Sequence, residues 1–536
     1  MFEGTIGEAL LAVASRHADR PALTAKGQTL SYRELFERAL GIANGLEALG
    51  LRRGDRVAFL TQRTTAAYTS PLGILLAGCA YVPLNPRFPA ERNRLILQSS
   101  EARALIVDAA CAAALATMLG ELDPDVAVVA PEEGTIAGFD GRVRLDAARV
   151  APLPLDSGCR AIGGPSGDTA YIMFTSGTTG APKGVPISHA NVASYLGAMS
   201  QIFSLSTADR VLQAVDMTFD LSVHDMFFTW LQGAALYSLP ENATILVPRI
   251  IEEQAITACH LVPSAAAQAA QRGLLRPGAM PSLRITILGG EALPYSVARD
   301  WCEAAPNTRL FNLYGPTEGT VYIASFEFTA DCPTNYPVVP IGLPLHGEHI
   351  EACDVDGAPL PTGETGELYL AGPQMTAGYW RAPHLDAEKF VTLRGRRWYR
   401  TGDLGRFVEP YGFIFAGRAD RQVKIRGYRV ELQEIEGALR TACARREVAV
   451  IAWPINDGGT ADGCVAFVAD LELDIEATLS RCRRLLPPYM TPDRIVLVDA
   501  IPLNQNGKTD YKALLSHPAL SSSKAARPVH KSEPAA

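Results

Sequence analysis

Residues Tyr171–Gly184 read YIMFTSGTTGAPKG, a run of buried-strand character that enters a loop of hydroxyls and glycines closed by Lys183. Such a loop suits a triphosphate. Glycines such as Gly177 let backbone N–H groups come close to an anion, Thr175, Ser176, Thr178 and Thr179 add hydroxyl donors, and Lys183 adds charge. It is not a Walker A loop, which needs GxxxxGK[ST] running into a helix: here Pro182 precedes Lys183 and Gly184 follows it. The alternative reading is a surface turn rich in small residues. From residue types alone the segment is a phosphate binder and no more.

A loop of this kind has to be held by regular elements. Arg56–Leu60 (RVAFL), Ala104–Val107 (ALIV), Val126–Val129 (VAVV) and Ala170–Phe174 (AYIMF) have the pattern of short buried strands. Ala-rich helical stretches such as Tyr32–Leu49 lie between them, which predicts an α/β fold with largely parallel sheets. After Gly417 the character changes. Gln422–Ile425 reads as a strand and Gly427–Tyr428 as a turn. Glu431–Ala442 reads as a helix with Leu432, Ile435 and Leu439 on one face, and Val448–Ala452 and Cys464–Val468 as strands of a smaller α+β unit. The expected organisation is a large domain of stacked sheets and helices over 1–419, a small mobile domain over 420–515, and a disordered tail over 516–536 rich in Ser, Pro, Ala and Lys.

Composition limits the possibilities. With 536 residues the chain can bury two or three cores, and 48% hydrophobic against 20% charged residues is the balance of a folded soluble protein. A net charge of −8 offers no electrostatic case for nucleic acid. Ten dispersed cysteines without a CxxC pair read as reduced thiols of a cytoplasmic protein. Met1–Ala12 lacks a basic signal-peptide region, and the apolar stretch Leu72–Leu84 is too short to span a bilayer, so no membrane role is expected.

The phosphate loop strongly resembles the signature of the adenylate-forming superfamily, which includes acyl-CoA synthetases, luciferases and the adenylation domains of nonribosomal peptide synthetases. Further motifs follow in the family's order. Leu76–Pro86 (LAGCAYVPLNP) resembles an upstream structural motif, and Asn312–Thr320 (NLYGPTEGT) the segment that holds adenine and magnesium. Tyr399–Arg406 (YRTGDLGR) resembles the ribose-binding segment, and Gly417–Glu431 (GRADRQVKIRGYRVE) the hinge with the first loop of the small domain. Pro502–Asp510 (PLNQNGKTD) resembles the segment with the catalytic lysine. The likeness covers about residues 5–515.

The resemblance implies activation of a carboxylic acid by ATP as an acyl-AMP, then transfer of the acyl group to a thiol. Two anions must meet at the α-phosphorus, so positive charge there matters most. The resemblance places Lys508 at that point; alone, it would read as a surface lysine in an NGK turn. It implies Glu318 as the Mg²⁺ ligand, since a hard cation on phosphates takes one or two carboxylates plus waters. Asp403 is implied for the ribose hydroxyls, and Arg418 for ribose or phosphate. Gly290, Glu291, Asn312, Tyr314 and Thr317 are implied around the nucleotide, and Asp420 as the hinge. After adenylation the small domain is expected to rotate, withdrawing Lys508 and bringing in the Lys424–Tyr428 loop.

The kind of acid is carried by Phe219–Phe227 (FDLSVHDMF). In the amino-acid branch an aspartate at the second position pairs with the substrate ammonium, and Asp220 stands there. A buried carboxylate needs a partner, which the substrate would supply; the alternative is a helix N-cap. By resemblance the rest of the pocket is Leu221, His224, His260, Ile287, Gly289, Leu313, Val321 and Tyr322. Two His and a Tyr point to a small hydroxy amino acid such as serine or threonine, then to an acidic one, with alanine or proline left open. No GGxS-type phosphopantetheine site follows Lys508, so the expected acceptor is a separate phosphopantetheinylated carrier protein, or coenzyme A. The rival readings are an acyl- or aryl-CoA ligase and an inactive nucleotide-binding scaffold of the same fold.

Overall fold

The computed structural model describes residues 4–118, 123–132, 143–156, 161–177, 182–332, 336–445, 447–456, 460–504 and 509–521. Thr178, Thr179 and Lys508 lie outside them, as does the tail beyond 521. Runs without polar interruption, such as RVAFL and ALIV, have no solvent face to offer and become interior strands. Arg56–Leu60 and Ala104–Val107 pair in parallel within a seven-stranded sheet. Its order is Val143–Leu145, Ala127–Val129, Ala104–Val107, Arg56–Leu60, Ala80–Leu84, Thr169–Thr175 and Lys183–Ser188. Only the last pair, Thr169–Thr175 with Lys183–Ser188 on the sheet's edge, is antiparallel.

A second sheet of nine strands has Arg309–Tyr314, Ile285–Gly289, Ala258–Leu261 and Arg210–Gln213 side by side and parallel. Phe59, Tyr81 and Tyr171 of the first sheet and Ile287 and Phe311 of the second belong to one continuous apolar core. The helix Tyr32–Ala48 adds Leu35, Phe36 and Leu40 to it, opened by Ser31 and Glu34 in a reciprocal cap. A third sheet joins His349–Cys353, Gly366–Ala371, Arg396–Val408, Phe390–Leu393 and Gly412–Arg418.

Residues from Gln422 onward form a hairpin, Gln422–Ile425 with Tyr428–Glu431, then the helix Leu432–Cys443. Val448–Ala452, Cys464–Val468 and Arg494–Leu497 make a three-stranded sheet behind it. Leu432, Ile435 and Leu439 are buried, as their helical spacing requires, in a core built only from this part of the chain. One expectation needs correction. Order continues past Ser516, because a helical turn at Pro518–Ser521 buries Leu520 against a cluster with Phe467 and Leu514. Among the described residues no helix is long and apolar enough to cross a membrane.

Candidate active site

In open α/β sheets ligands bind beyond the carboxyl ends of the parallel strands. Here Ile285–Gly289 ends at Gly290 and Glu291, and Arg309–Tyr314 ends at Gly315, Pro316 and Thr317. These ends line two cavities, of about 270 Å³ and 300 Å³, which share Gly290, Gly315, Pro316, Lys424 and Arg429 as a common wall.

The phosphate hairpin and Glu318 meet at this wall. Thr175 Oγ1 is buried without a partner, and Ser176 Oγ donates to the Arg429 carbonyl at 2.8 Å. Gly177 N–H donates to Glu434 at 3.3 Å. Lys183 Nζ lies 3.3 Å from both Glu318 Oε1 and the Tyr379 hydroxyl, over the Tyr379 ring. Glu318 is fully buried; it accepts from Tyr379 at 2.7 Å and from Arg429 at 2.8 Å. Burial opposes its charge, but Arg429 and Lys183 outweigh burial and hold it well below the usual carboxylate range. Burial lowers the Lys183 pKa, with Glu318 working against that.

The 300 Å³ cavity is bordered by Glu291, Leu313, Tyr314, Asp403 and Arg418. Asp403 and Arg418 face each other across the register of Arg396–Val408 with Gly412–Arg418 and are ion-paired. The Tyr314 hydroxyl donates to Asp403 at 2.6 Å. Arg418 also bridges to both oxygens of Asp420, at 2.7 and 2.8 Å. Glu291 accepts from Ser264 N–H at 2.7 Å and keeps its other oxygen unpaired and buried. Asn312, expected at the base, borders neither cavity: its amide donates to the carbonyls of Val339 and Pro340 and so fixes a wall segment. Leu313, expected beside the acid, borders this cavity instead.

The hairpin Gln422–Ile425/Tyr428–Glu431 projects into the wall. Burial, then Arg429, pushes Lys424 down to about 8. Gly427 has φ +86°, and a Cβ there would meet Val262 at 3.0 Å. Proline, fixed near φ −65°, excludes this loop conformation. Gly427→Pro is therefore expected to slow thioester formation by about 10–100-fold, the scale of one locally strained residue, with ATP–pyrophosphate exchange little changed. Comparing the two half-reactions checks this; a larger loss in exchange would contradict it.

The 270 Å³ cavity is lined by Asp220, Leu221, Phe219, Tyr428 and Tyr489, with half-exposed Arg87 and Arg426 also on its border. Tyr428 stacks on Tyr489 at 3.7 Å and meets Phe219 edge-on. Asp220 stands at the helix start Leu221–Val223 but makes no side-chain cap. It is buried, its Oδ2 has no partner, and Thr317 and the Val321 backbone face its carboxyl. Burial raises its pKa above the usual carboxylate range. His224, His260, Ile287, Gly289, Val321 and Tyr322, expected around the side chain of the acid, do not border this cavity; they stand behind its wall.

Tyr379, Glu434 and Arg92 carry no motif signal in the sequence, and Arg429 is legible there as part of the Arg426–Arg429 side expected to meet a partner. Arg429 lies within GRADRQVKIRGYRVE, so its motif was visible although its partner was not. Among the described residues no three His, Cys, Asp or Glu side chains cluster as a metal site.

The AMP-binding enzyme family matches residues 10–380, and the AMP-binding enzyme C-terminal domain matches residues 434–508. The chain belongs to this family and is an acyl-AMP-forming ligase of the nonribosomal peptide synthetase adenylation type. It is similar to a linear gramicidin synthase of Brevibacillus parabrevis, 34% identical over 509 residues, which are 94% of this chain and 9% of that one. Against a mycosubtilin synthase of Bacillus subtilis it is 34% identical over 530 residues, 96% of this chain and 19% of that one. The chain thus spans only a small part of these synthases. The adenylation domain AlmE of Vibrio cholerae, solved with glycyl-adenosine-5'-phosphate, is 32% identical with a TM-score of 0.87, covering 96% of this chain and 98% of that one.

Proposed function

We propose that the chain activates a small α-amino acid with ATP as the aminoacyl-AMP and passes it to the phosphopantetheine thiol of a separate carrier protein. The observation that carries this reading is Asp220: a buried carboxylate with one unpaired oxygen, lining a cavity that shares a wall with the one bordered by Asp403 and Arg418. An ammonium would complete its hydrogen bonding and balance its charge. The aminoacyl ligand of the Vibrio cholerae relative supports the same class of acid.

In the first step a substrate carboxylate oxygen attacks the α-phosphorus and pyrophosphate leaves. Lys508 is assigned by resemblance to bridge the two anions. Glu318 is the residue that would hold Mg²⁺, whose charge would offset the phosphates. Its carboxylate fits that role once Arg429 withdraws, and nucleotide phosphates and waters would complete the coordination. The second step needs the thiol to attack the acyl carbonyl, with AMP leaving. The cavity from Asp220 to Arg87 and Arg426 supports this, since it would accept a slender arm with its sulfur inside and its phosphate outside. The present arrangement of the chain, with the Lys424–Arg429 loop in the wall, is the one suited to the second step. Division into a large domain to 419 and a small domain over 420–515 turning about Asp420 is part of this reading. The free cysteines among the described residues agree with a cytoplasmic setting.

Serine and threonine, favoured on sequence by His224, His260 and Tyr322, would need one of these groups to face the acid. The pairing of His224 with Tyr195 and of His260 with Tyr322 supports a small side chain that asks for no hydrogen bond. ATP–pyrophosphate exchange over twenty amino acids and several aryl and fatty acids tests the class. Exchange confined to non-amino acids would assign the chain to the CoA-ligase branch and leave Asp220 structural. Lys508→Ala is expected to abolish exchange while sparing transfer from pre-formed aminoacyl-AMP; equal loss of both would remove the two-arrangement reading.

A further inference from the structure

Resting on the amino-acid reading above, we propose that the substrate is glycine, and that a hydrogen-bonded chain Asp225–His260–Tyr322 excludes every larger side chain. His260 Nδ1 lies 2.9 Å from Asp225 Oδ1, and its Nε2 lies 2.5 Å from the Tyr322 hydroxyl. With Nδ1–H donating to Asp225, Nε2 accepts the single hydroxyl proton of Tyr322. All three residues are at most 1% exposed. Neither His260 nor Tyr322 therefore offers a free donor to a bound acid.

The chain also occupies space. The Tyr322 hydroxyl stands 2.3 Å from where a Cβ on Gly289 would lie, so it fills the hollow that this glycine leaves in the strand end. What faces the cavity there is apolar and close: Leu221, Val262 and the bare backbone of Gly290. An amino acid with its ammonium on Asp220 and its carboxylate at the wall of Gly290 and Lys424 directs its side chain at this surface. The same cavity is also lined by Phe219, Tyr428 and the half-exposed Arg87 and Arg426.

Two further features hold the wall rigid. Thr320 and Val321 have φ of +56° and +70°, a left-handed pair that β-branched residues rarely adopt. Thr320 Oγ1 donates to the Gln374 carbonyl at 2.5 Å and anchors this turn, which aims Tyr322 inward. His224 and Asp225 lie in a π-helical turn, His224–Phe228, whose wider spacing sets both side chains inward. His224 is occupied as well: its Nδ1 lies 2.7 Å from the Tyr195 hydroxyl and its ring stacks on Phe228. Burial holds His224 neutral, so an acidic side chain finds no cation there.

The test is kcat/KM for exchange with glycine, alanine, serine and threonine, in the wild-type chain and in Tyr322→Phe and Tyr322→Ala. One methylene is worth roughly 10–200-fold in an apolar pocket. Glycine should therefore exceed alanine by at least about tenfold, with serine below alanine. Tyr322→Phe removes only the hydroxyl and should narrow the glycine-to-alanine ratio several-fold; Tyr322→Ala should bring alanine or serine level with glycine. A role in folding alone would lower all four values together and leave the ratio unmoved, which would overturn the proposal. Preference of the wild-type chain for serine, threonine or a larger amino acid would overturn it too, while keeping the amino-acid reading. Exchange with no amino acid at all would remove both. If Tyr322→Ala does not fold, the wild-type ratios and Tyr322→Phe decide.

Discussion

Replacing Asp220 by alanine is expected to lower kcat/KM for amino-acid-dependent exchange by about 10²–10⁴-fold, the scale of losing one partner of a buried ion pair, about 3–5 kcal/mol. The carboxylate caps no helix and its Oδ2 is buried without a partner, which is why a substrate ammonium is the partner proposed for it. Asp220→Asn keeps the shape and should lose nearly as much. Carboxylic acids without an amine should lose nothing, and an equal loss for them would make Asp220 structural. The pH profile follows from the same burial. The raised pKa means that protonation on the acid side removes the anion, so kcat/KM falls as pH drops through a value above the ordinary carboxylate range. Above that value the carboxylate is ionised and the limb is flat. Asp220→Asn should abolish this limb.

Replacing Arg92 by alanine is expected to cut thioester formation by about 10²-fold or more while exchange changes little. Arg92, on the helix Ala90–Ser99, pairs at 2.5 Å with Glu434 on the helix Leu432–Cys443, and both side chains are under a tenth exposed. Glu434 also accepts from Gly177 N–H of the phosphate loop. Removing Arg92 leaves Glu434 a buried carboxylate without its cation, a cost of about 3–5 kcal/mol that falls on this arrangement of the chain. The adenylating arrangement, in which the Lys424–Arg429 loop has withdrawn, should not carry that cost. Separate assays of exchange and of carrier loading check the split; equal loss in both would show that the pair serves folding rather than the second half-reaction. A double-mutant cycle with Glu434→Ala should then show strong coupling in loading alone.

The motifs were legible because their chemistry is local. A phosphate loop needs glycines, hydroxyls and a lysine within a dozen residues, and TSGTTGAPKG places them there whatever surrounds it. Strands such as RVAFL and ALIV, and the face of Leu432, Ile435 and Leu439, were legible for the same reason: each pattern has one way to bury itself. The substrate wall was not. Types alone made His224, His260 and Tyr322 look like hydrogen-bonding groups for a polar acid. Whether such a group is free depends on what lies opposite, and Asp225, Tyr195 and Tyr322 reach those histidines from 29 to 62 residues away. Asn312 is a similar case, since its amide is spent on the carbonyls of Val339 and Pro340.

By itself the sequence determined the family and the parallel α/β frame, because each depends on short runs of residues, and by resemblance it supplied the segments proposed for phosphate, ribose and ammonium. Tertiary structure alone decided that Glu318 is held between Lys183 and Arg429, and that Arg92 meets Glu434. It also decided that His224 bonds to Tyr195, and His260 to Asp225 and Tyr322, behind Asp220. These are contacts across long loops, and their worth lies in burial and direction, which no local pattern of residues records.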